Sequence, residues 1–222
     1  MSIRKIKFAE GEYYHIYSRG VDKRIIFIDK YDYDRFLLLL RICNNNKPIE
    51  VRNLPRQGLR GGLALVFEEQ DQIVDIGAWC LMPNHFHILI KERQENGISI
   101  FIQKLLTAYV MYFNQKYERK GSLFQGKFQA RHANTDNYLK YLYSYIHLNP
   151  VKLIQSDWKE KGIQNIDEVY DFLNNYKYSS YLDYLQEEKS QNFILNKKAF
   201  PEYFDSKENF KSNLSDWLKI DN

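Results

Sequence analysis

The sequence is poor in cysteine and in long apolar runs, and each shortage excludes a class of protein. Only two cysteines, Cys43 and Cys80, occur among 222 residues, too few for a disulfide framework or a cysteine-rich zinc site. No apolar run, the stretch Phe36 to Leu40 included, approaches the roughly 18 residues that span a bilayer. The N-terminal segment has basic residues without an apolar core, so no secretory signal is predicted. We therefore expect a cytoplasmic protein that does not enter membranes.

The net charge of +4 is too small to indicate a nucleic-acid partner by itself, but the charge is unevenly distributed. Between residues 101 and 150, seven basic residues stand against two acidic ones, Glu118 and Asp136. From Val151 onward, ten lysines stand against thirteen acidic residues. Positive charge concentrated in the first two thirds of the chain is typical of a phosphate-binding surface. A solvated surface of mixed charge would explain the same composition equally well.

Hydrophobic periodicity predicts strands that alternate with helices up to about residue 150. The predicted strands are 13–19, 73–81, 85–91 and 124–132, and the predicted helices are 29–44, 99–117 and 137–149. Met82-Pro83-Asn84 separates the two middle strands as a hairpin turn. The second helix is expected to be capped by Ser99, and the third by Thr135 or Asp136. This order indicates an α+β sandwich with a mainly antiparallel sheet and helices packed on it.

Two further segments carry less information. The segment Arg52 to Gly62 is a glycine-rich, basic loop that lacks the spacing of a phosphate-binding or dinucleotide-binding motif. After Lys152 the composition changes to lysine, glutamate, asparagine and serine with scattered aromatic residues. We interpret residues 1–152 as the domain that carries the chemistry and residues 153–222 as an appended helical extension.

The first chemical motif is a pair of histidines, His85 and His87, at the start of the third predicted strand. Side chains two residues apart on a strand point to the same face, so both imidazoles project together while Phe86 faces the core. Such a pair is half of a site for a divalent metal. Edge histidines bonded to backbone or solvent are the alternative, and an isolated pair would favour it. No third histidine or cysteine lies at short spacing, so a further ligand must come from elsewhere, and an amide or carboxylate oxygen would suit Mg²⁺ or Mn²⁺.

The second motif is the tyrosine-rich helix before Pro150. Leu139, Leu142 and Ile146 form its apolar stripe. A second row at helical spacing lies on the flank of that stripe: Tyr141, Tyr145 and Asn149. A phenol has a pKa near 10 and attacks poorly at neutral pH without a metal or base beside it. With 18 tyrosines in the chain, packing is the ordinary role of any one of them, and only the histidine pair singles out Tyr145.

Taken together, these motifs resemble a known family. The segments that carry the resemblance are YYHIYSRG from Tyr13, AWCLMPNHFHILI around His85, GSLFQGKFQARHA from Gly121, YLYSYIHLNPVK from Tyr141 and YKYSSYLDYL from Tyr176. From about residue 10 to about residue 185 the chain resembles the single-tyrosine HUH transposases, most closely the REP-associated tyrosine transposases. The resemblance implies an HUH endonuclease domain over residues 1–152. With it, the predicted fold is a ferredoxin-like sandwich whose sheet has four to five strands.

The resemblance also implies a reaction and a set of residues. His85 and His87 correspond to the metal-binding histidines, and Tyr145 corresponds to the nucleophile. Asn149 stands where other members use a glutamine as a further metal ligand. The implied reaction cleaves and rejoins single-stranded DNA that bears REP-like hairpins, through a 5′-phosphotyrosine and with Mg²⁺ or Mn²⁺. It further implies a nucleoid-associated protein that is a monomer or a homodimer, since some members exchange their tyrosine helices between subunits.

The remaining predictions concern DNA contacts and alternatives. Six basic residues are predicted to hold phosphates, although surface solubility would explain them equally well: Arg19, Lys116, Arg119, Lys120, Lys127 and Arg131. His15 and His132 are possible neighbours of the site, for which core or edge packing is the expected role. One alternative function is a non-catalytic hairpin-binding protein of the same fold. Another is a metal-dependent nuclease that uses water, in which Tyr145 is only structural.

Overall fold

The computed structural model describes residues 6–48, 72–185, 194–204 and 206–218, and its centre is a four-stranded antiparallel sheet. The strands are β1 (Tyr13–Arg19), β2 (Val74–Met82), β3 (His85–Glu92) and β4 (Gln129–His132), in the order β2-β3-β1-β4. The predicted α+β class and antiparallel sheet are confirmed. The glycine-rich loop 52–62 lies outside the described residues.

Within the described residues, three helices pack on the sheet and four more follow them in the chain. The first three are α1 (Lys30–Ile42), α2 (Gly97–Lys116) and α3 (Asp136–Leu148). The next four are α4 (Trp158–Lys161), α5 (Ile166–Asn175), α6 (Tyr181–Leu185) and α7 (Lys207–Leu218). Short 3₁₀ turns lie at Val21–Lys23, Asn149–Leu153 and Lys197–Ala199. No helix in the described ranges is long and apolar enough to cross a membrane.

The caps show why these helices begin where they do. The Asp29 carboxylate accepts hydrogen bonds from the backbone N–H groups of Tyr31 and Asp32, and the Asp32 carboxylate accepts the backbone N–H of Asp29, which completes a capping box. Thr135 Oγ1 accepts a bond from the backbone N–H of Tyr138, 3.2 Å away, so the predicted Thr135 cap of α3 is confirmed.

Two sequence predictions are wrong in detail. Ser99 does not cap α2, because the helix already begins at Gly97 and the buried Glu92 carboxylate accepts the backbone N–H of Ile98 at 2.8 Å. A strand over 124–132 is also wrong, since only Gln129–His132 forms a ladder with β1. Phe124 makes one isolated bridge, to Gly20, and Gly126 interrupts the extended run with a φ of 66°.

Both faces of the sheet are covered. On one face Ile16, Phe86 and Ile88 pack into the main core with α1 and α2. On the other face Cys80 and Leu89 pack against the apolar stripe of α3. β2 is buried at every position, as expected for a strand covered on both sides. The histidine face of β3 is therefore turned toward α3 and not toward bulk solvent.

The extension packs behind α3 and along the edge of β2. A third apolar cluster joins Leu148 and Val151 to the helices that follow, through Trp158, Val169, Leu173, Tyr181, Phe210 and Leu214. At the edge of β2, the Leu81 N–H donates to the Tyr178 carbonyl and the Ser180 N–H donates to the Trp79 carbonyl. These bonds cover an edge that would otherwise present unpaired backbone groups. The predicted domain boundary after residue 152 stays a prediction.

Candidate active site

A cleft of about 630 Å³ opens between the sheet and α3 at the end where β3 begins. Its walls are histidines, tyrosines, cations and amides: His15, Tyr17, Ser18, Arg19, His85, His87, Gln125, Lys127, Gln129, Arg131, Tyr138, Tyr141, Leu142, Tyr145, Asn149 and Lys152. The strands supply the histidines, and α3 with the 3₁₀ turn after it supplies Tyr145 and Asn149. The structure therefore brings the two predicted motifs into one cleft.

Both predicted metal-binding histidines use Nδ1 for a hydrogen bond within the protein. His85 Nδ1 lies 2.6 Å from Asn84 Oδ1, and His87 Nδ1 lies 2.8 Å from His15 Nε2. The two imidazoles lie 5.0 Å apart, centroid to centroid, with their planes nearly perpendicular. Among the residues that the structure describes, neither Nε2 has a hydrogen-bond partner. The Nε2 atoms are thus the two ring nitrogens left for a ligand.

The electrostatic setting keeps these rings neutral. Burial, together with the nearby Arg19 and Lys152, lowers the pKa of His85 from 6.5 to about 4. Burial lowers the pKa of His87 well below 6.5, and its histidine neighbours act in the same direction. Burial lowers the pKa of His15 to about 3. A neutral imidazole has a free lone pair, and this is the form in which histidine binds metals.

Tyr145 lies directly against this histidine cluster. Its ring centroid is 5.5 Å from that of His87 and 5.6 Å from that of His15, both in edge-to-face contact. Burial raises the pKa of the Tyr145 phenol above 10, and a hydrogen bond from the Asn149 side chain acts in the opposite direction. Lys159 Nζ, from the extension, lies 4.4 Å from the centroid of the same ring. At neutral pH the phenol is protonated and requires activation before it can attack.

Asn149 follows the last residue of α3 and is 3 % exposed. Its Nδ2 donates to the backbone carbonyl of Tyr145 at 2.8 Å, which leaves Oδ1 as the acceptor atom of the amide. Within the described ranges no group of three His, Cys, Asp or Glu side chains is arranged to hold a metal. Two imidazole nitrogens and an amide oxygen nevertheless make a donor set suited to Mn²⁺ or Mg²⁺, with water completing the shell. The residues present fit a divalent cation.

The six cations predicted to hold phosphates divide into two groups. Arg19, Lys127 and Arg131 line the cleft. Lys116, Arg119 and Lys120 do not. Lys116 Nζ instead lies 2.8 Å from Asp29 and 2.7 Å from Asp32, where it joins the start of α1 to the end of α2.

Arg119 and Lys120 also lie away from the cleft. Arg119 Nη1 donates to Asn114 Oδ1 at 3.2 Å, and Lys120 is exposed. The phosphate-binding role predicted for all six residues is therefore supported by position only for the three that line the cleft.

Four residues of the site have no chemical role in the sequence prediction, which named His15 only as a possible neighbour: His15, Tyr17, Lys152 and Lys159. The alternation of β1 carries a signal for the first two, because Tyr14 and Ile16 are core residues and the residues that alternate with them, His15 and Tyr17, must face the other way. Tyr17 pairs with His87 in the register between β1 and β3. Lys159 carries no such signal, since its contact with Tyr145 depends on the path of the extension.

Comparison with known proteins finds one family and one solved structure that are similar to this chain. Residues 64–149 match the family described as Transposase IS200 like, and this range includes His85, His87, Tyr145 and Asn149. No curated protein matches the chain. A solved structure described as the REP-associated tyrosine transposase bound to a REP hairpin matches with a TM-score of 0.52 and 14% identity, covering 92% of this chain and 99% of that one.

At that identity the solved structure shows the fold alone, while the family match covers the segment with both motifs. The resemblance inferred from the motifs is confirmed: residues 64–149 match the IS200-like transposase family, and the chain shares its fold with the solved REP-associated tyrosine transposase.

Proposed function

We propose that this protein cleaves and rejoins single-stranded, hairpin-bearing DNA through Tyr145, with a divalent metal held by His85, His87 and Asn149. The observation that carries the proposal is the meeting of a tyrosine ring and the two histidines in one cleft, with 5.5 Å between the centroids of Tyr145 and His87. A tyrosine that served only packing would have no need of a polar cleft lined by cations.

The protein groups have distinct tasks in this reaction. His85 and His87 would hold the cation through Nε2, and Asn149 would add Oδ1. A bound Mg²⁺ or Mn²⁺ supplies Lewis acidity that polarises the oxygens of the scissile phosphate. Asn149 also hydrogen-bonds the Tyr145 side chain, which favours the phenolate over the phenol. Tyr145 is held against the histidine rings, so that its hydroxyl is positioned before the substrate arrives.

The chemical step is a transesterification. Tyr145 Oη loses its proton and forms a bond to phosphorus, while the bond from phosphorus to the 3′ oxygen of the neighbouring nucleotide breaks. That oxygen takes up a proton and leaves as a free 3′-hydroxyl. The products are a 5′-phosphotyrosine and a 3′ end, and attack by a 3′-hydroxyl on the phosphotyrosine reverses the link. The number of ester bonds is unchanged, so no nucleotide cofactor is required.

The DNA would enter along the cationic wall of the cleft. Arg19, Lys127, Arg131 and Lys152 line it and would contact phosphates. The Arg131 guanidinium hydrogen-bonds the side chains of Tyr17 and Tyr138, which holds it at the cleft. A hairpin partner is supported by the solved structure of the same fold, which is described as bound to a REP hairpin.

The test is whether a covalent adduct forms between the protein and DNA. The protein is incubated with end-labelled single-stranded hairpin DNA and Mn²⁺, and the labelled protein is resolved on a denaturing gel. We expect an adduct that Tyr145→Phe and chelation of the metal both abolish. Tyr143→Phe is the matched control, because Tyr143 lies two residues earlier on α3 and is buried away from the cleft.

The other outcomes identify the alternatives. Cleavage that survives Tyr145→Phe would show a nuclease that uses water and would refute the tyrosine nucleophile. Hairpin binding without cleavage or adduct, with Mn²⁺ and Mg²⁺ alike, would show a non-catalytic binding protein of the same fold.

A further inference from the structure

We propose that His15 is a positioning residue that fixes which nitrogen of His87 carries a proton, and so keeps His87 Nε2 available to a metal. The inference rests on the proposed function, because it assigns a task within the same metal site. It concerns a residue that lies on a different strand from both predicted histidine ligands.

The contact between the two rings is buried and lies between two paired strands. His15 Nε2 lies 2.8 Å from His87 Nδ1, and the two residues are 4 % and 5 % exposed. Their rings are stacked with centroids 5.0 Å apart. β1 and β3 form a continuous antiparallel ladder over this stretch, so the backbone fixes the separation of the two side chains. With little water present, the hydrogen bond between the rings determines where the protons reside.

A neutral imidazole has one N–H and one lone pair, so this hydrogen bond has two possible directions. If His87 Nδ1–H donates to His15, then His87 Nε2 keeps its lone pair. If His15 Nε2–H donates instead, His87 must carry its proton on Nε2 and cannot bind a metal through that atom. Metal binding therefore requires His15 to accept at Nε2 and to carry its own proton on Nδ1.

The neighbouring histidine shows the same arrangement with its direction already fixed. Asn84 Nδ2 donates to the backbone carbonyl of Lys23 at 3.1 Å, so the amide oxygen is the atom that faces His85. That oxygen lies 2.6 Å from His85 Nδ1 and can only accept, which places the proton of His85 on Nδ1. Asn84 therefore accepts the Nδ1 proton of His85, which is the role that we assign to His15 for His87. Both Nε2 atoms then keep their lone pairs.

The first test reads the protons directly. The chain has five histidines, so a long-range ¹H–¹⁵N spectrum of histidine-labelled, metal-free protein contains only five ring systems. Single histidine variants assign them. We expect His85, His87 and His15 all as the Nδ1–H form. A His87 ring found in the Nε2–H form would overturn the proposal, whatever the activity of the protein.

The second test measures Mn²⁺ binding by the loss of the free-ion electron paramagnetic resonance signal. We expect His15→Leu, which cannot accept a hydrogen bond, to bind Mn²⁺ about 10- to 100-fold more weakly. His15→Gln, whose amide oxygen can accept from His87, should recover most of the affinity. His132→Gln is the matched control, because His132 pairs with Glu12 outside the cleft.

Every outcome of these two tests either supports or refutes the positioning role of His15. Unchanged Mn²⁺ affinity in His15→Leu, or no Mn²⁺ binding by the unaltered protein, would refute the positioning role. If His15→Leu fails to fold, as circular dichroism would show, the spectrum of the unaltered protein still decides. Failure of the proposed function has a different signature, since the protein would then show the Nδ1–H forms and His15-dependent Mn²⁺ affinity while Tyr145 forms no DNA adduct.

Discussion

Replacing His147 with glutamine should leave the protein close to normal stability at pH 7.5 and make it more resistant to acid. His147 lies on α3 two residues after Tyr145 and is fully buried. Its Nε2 lies 2.7 Å from Ser180 Oγ, which in turn accepts the backbone N–H of Trp79 at 2.9 Å. This chain of bonds joins the nucleophile's helix to the extension and to β2. Glutamine can place an amide atom near Nε2 but cannot take up a proton.

The magnitude follows from proton linkage. Burial lowers the pKa of His147 from 6.5 to about 3 in the folded protein. Between those values the unfolded chain binds a proton at this position and the folded protein does not, so folding stability falls as the pH falls. The loss begins near pH 6.5, reaches about 2 kcal/mol at pH 5, and is complete only below pH 3. At pH 7.5 this destabilisation is absent, because position 147 is neutral in both the folded and the unfolded chain.

The assay is urea unfolding at pH 7.5 and pH 5.0, followed by circular dichroism. On moving to pH 5.0 we expect the unaltered protein to lose about 2 kcal/mol more unfolding free energy than His147→Gln. His132→Gln, a change at a partly exposed histidine, provides the control for replacing any histidine with glutamine. If the difference between His147→Gln and the unaltered protein is the same at both pH values, His147 does not carry the linkage and the reasoning is wrong.

Four further expectations follow from contacts described above. Thr135→Ala removes the cap of α3 and should lower the unfolding free energy by about 1 kcal/mol in urea titrations. Asp183→Asn should stabilise the protein at pH 8 by up to about 3 kcal/mol. The reason is that burial raises the pKa of Asp183 from 3.8 to about 6, and the gain should vanish below pH 4. Arg131→Gln should weaken binding of single-stranded DNA and reduce the slope of log K against log salt by about 0.7 per lost phosphate contact. Lys116→Gln should leave that slope unchanged, because Lys116 is paired with Asp29 and Asp32. Lys159→Met should raise the activation free energy of adduct formation by about 0.5–2 kcal/mol, because it removes the cation that lies over the Tyr145 ring. Lys159→Arg keeps a cation there and should preserve the rate.

Much of the fold was predictable because its signals are local. The alternation in β1 and β3 and the apolar stripe of α3 are periodic patterns that the structure reproduces with nearly the predicted bounds. The same alternation separates His85 and His87 from the core residue Phe86. Periodicity fails where a distant group intervenes. α2 begins before Ser99 because Glu92 supplies the acceptor, and the run after Phe124 leaves the ladder at Gly126.

The parts of the site that could not be predicted depend on pairing between distant segments. The hydrogen bond between His15 and His87 exists only because β1 and β3 are neighbours in the sheet, and no local sequence pattern predicts that pairing. The contacts of basic residues also depend on segments that are distant in the sequence. Lys116 and Arg131 look alike in the sequence, but one is held by Asp29 and Asp32 while the other lines the cleft. Charge clustering predicts that a cationic surface exists and does not identify which of its members face a ligand.

The nucleophile's helix has two buried sides, and this limits how it can move. Leu142 faces the second sheet face, while Tyr143 and His147 lie under aromatic residues of the extension, among them Tyr184 and Phe204. A helix attached on one side could detach and dock on a second copy of the chain by breaking a single interface. Here α3 would have to break two interfaces, or take the extension with it. Exchange of Tyr145 between copies would therefore either disrupt both interfaces or move the described helices of the extension, α4 to α7, together with α3.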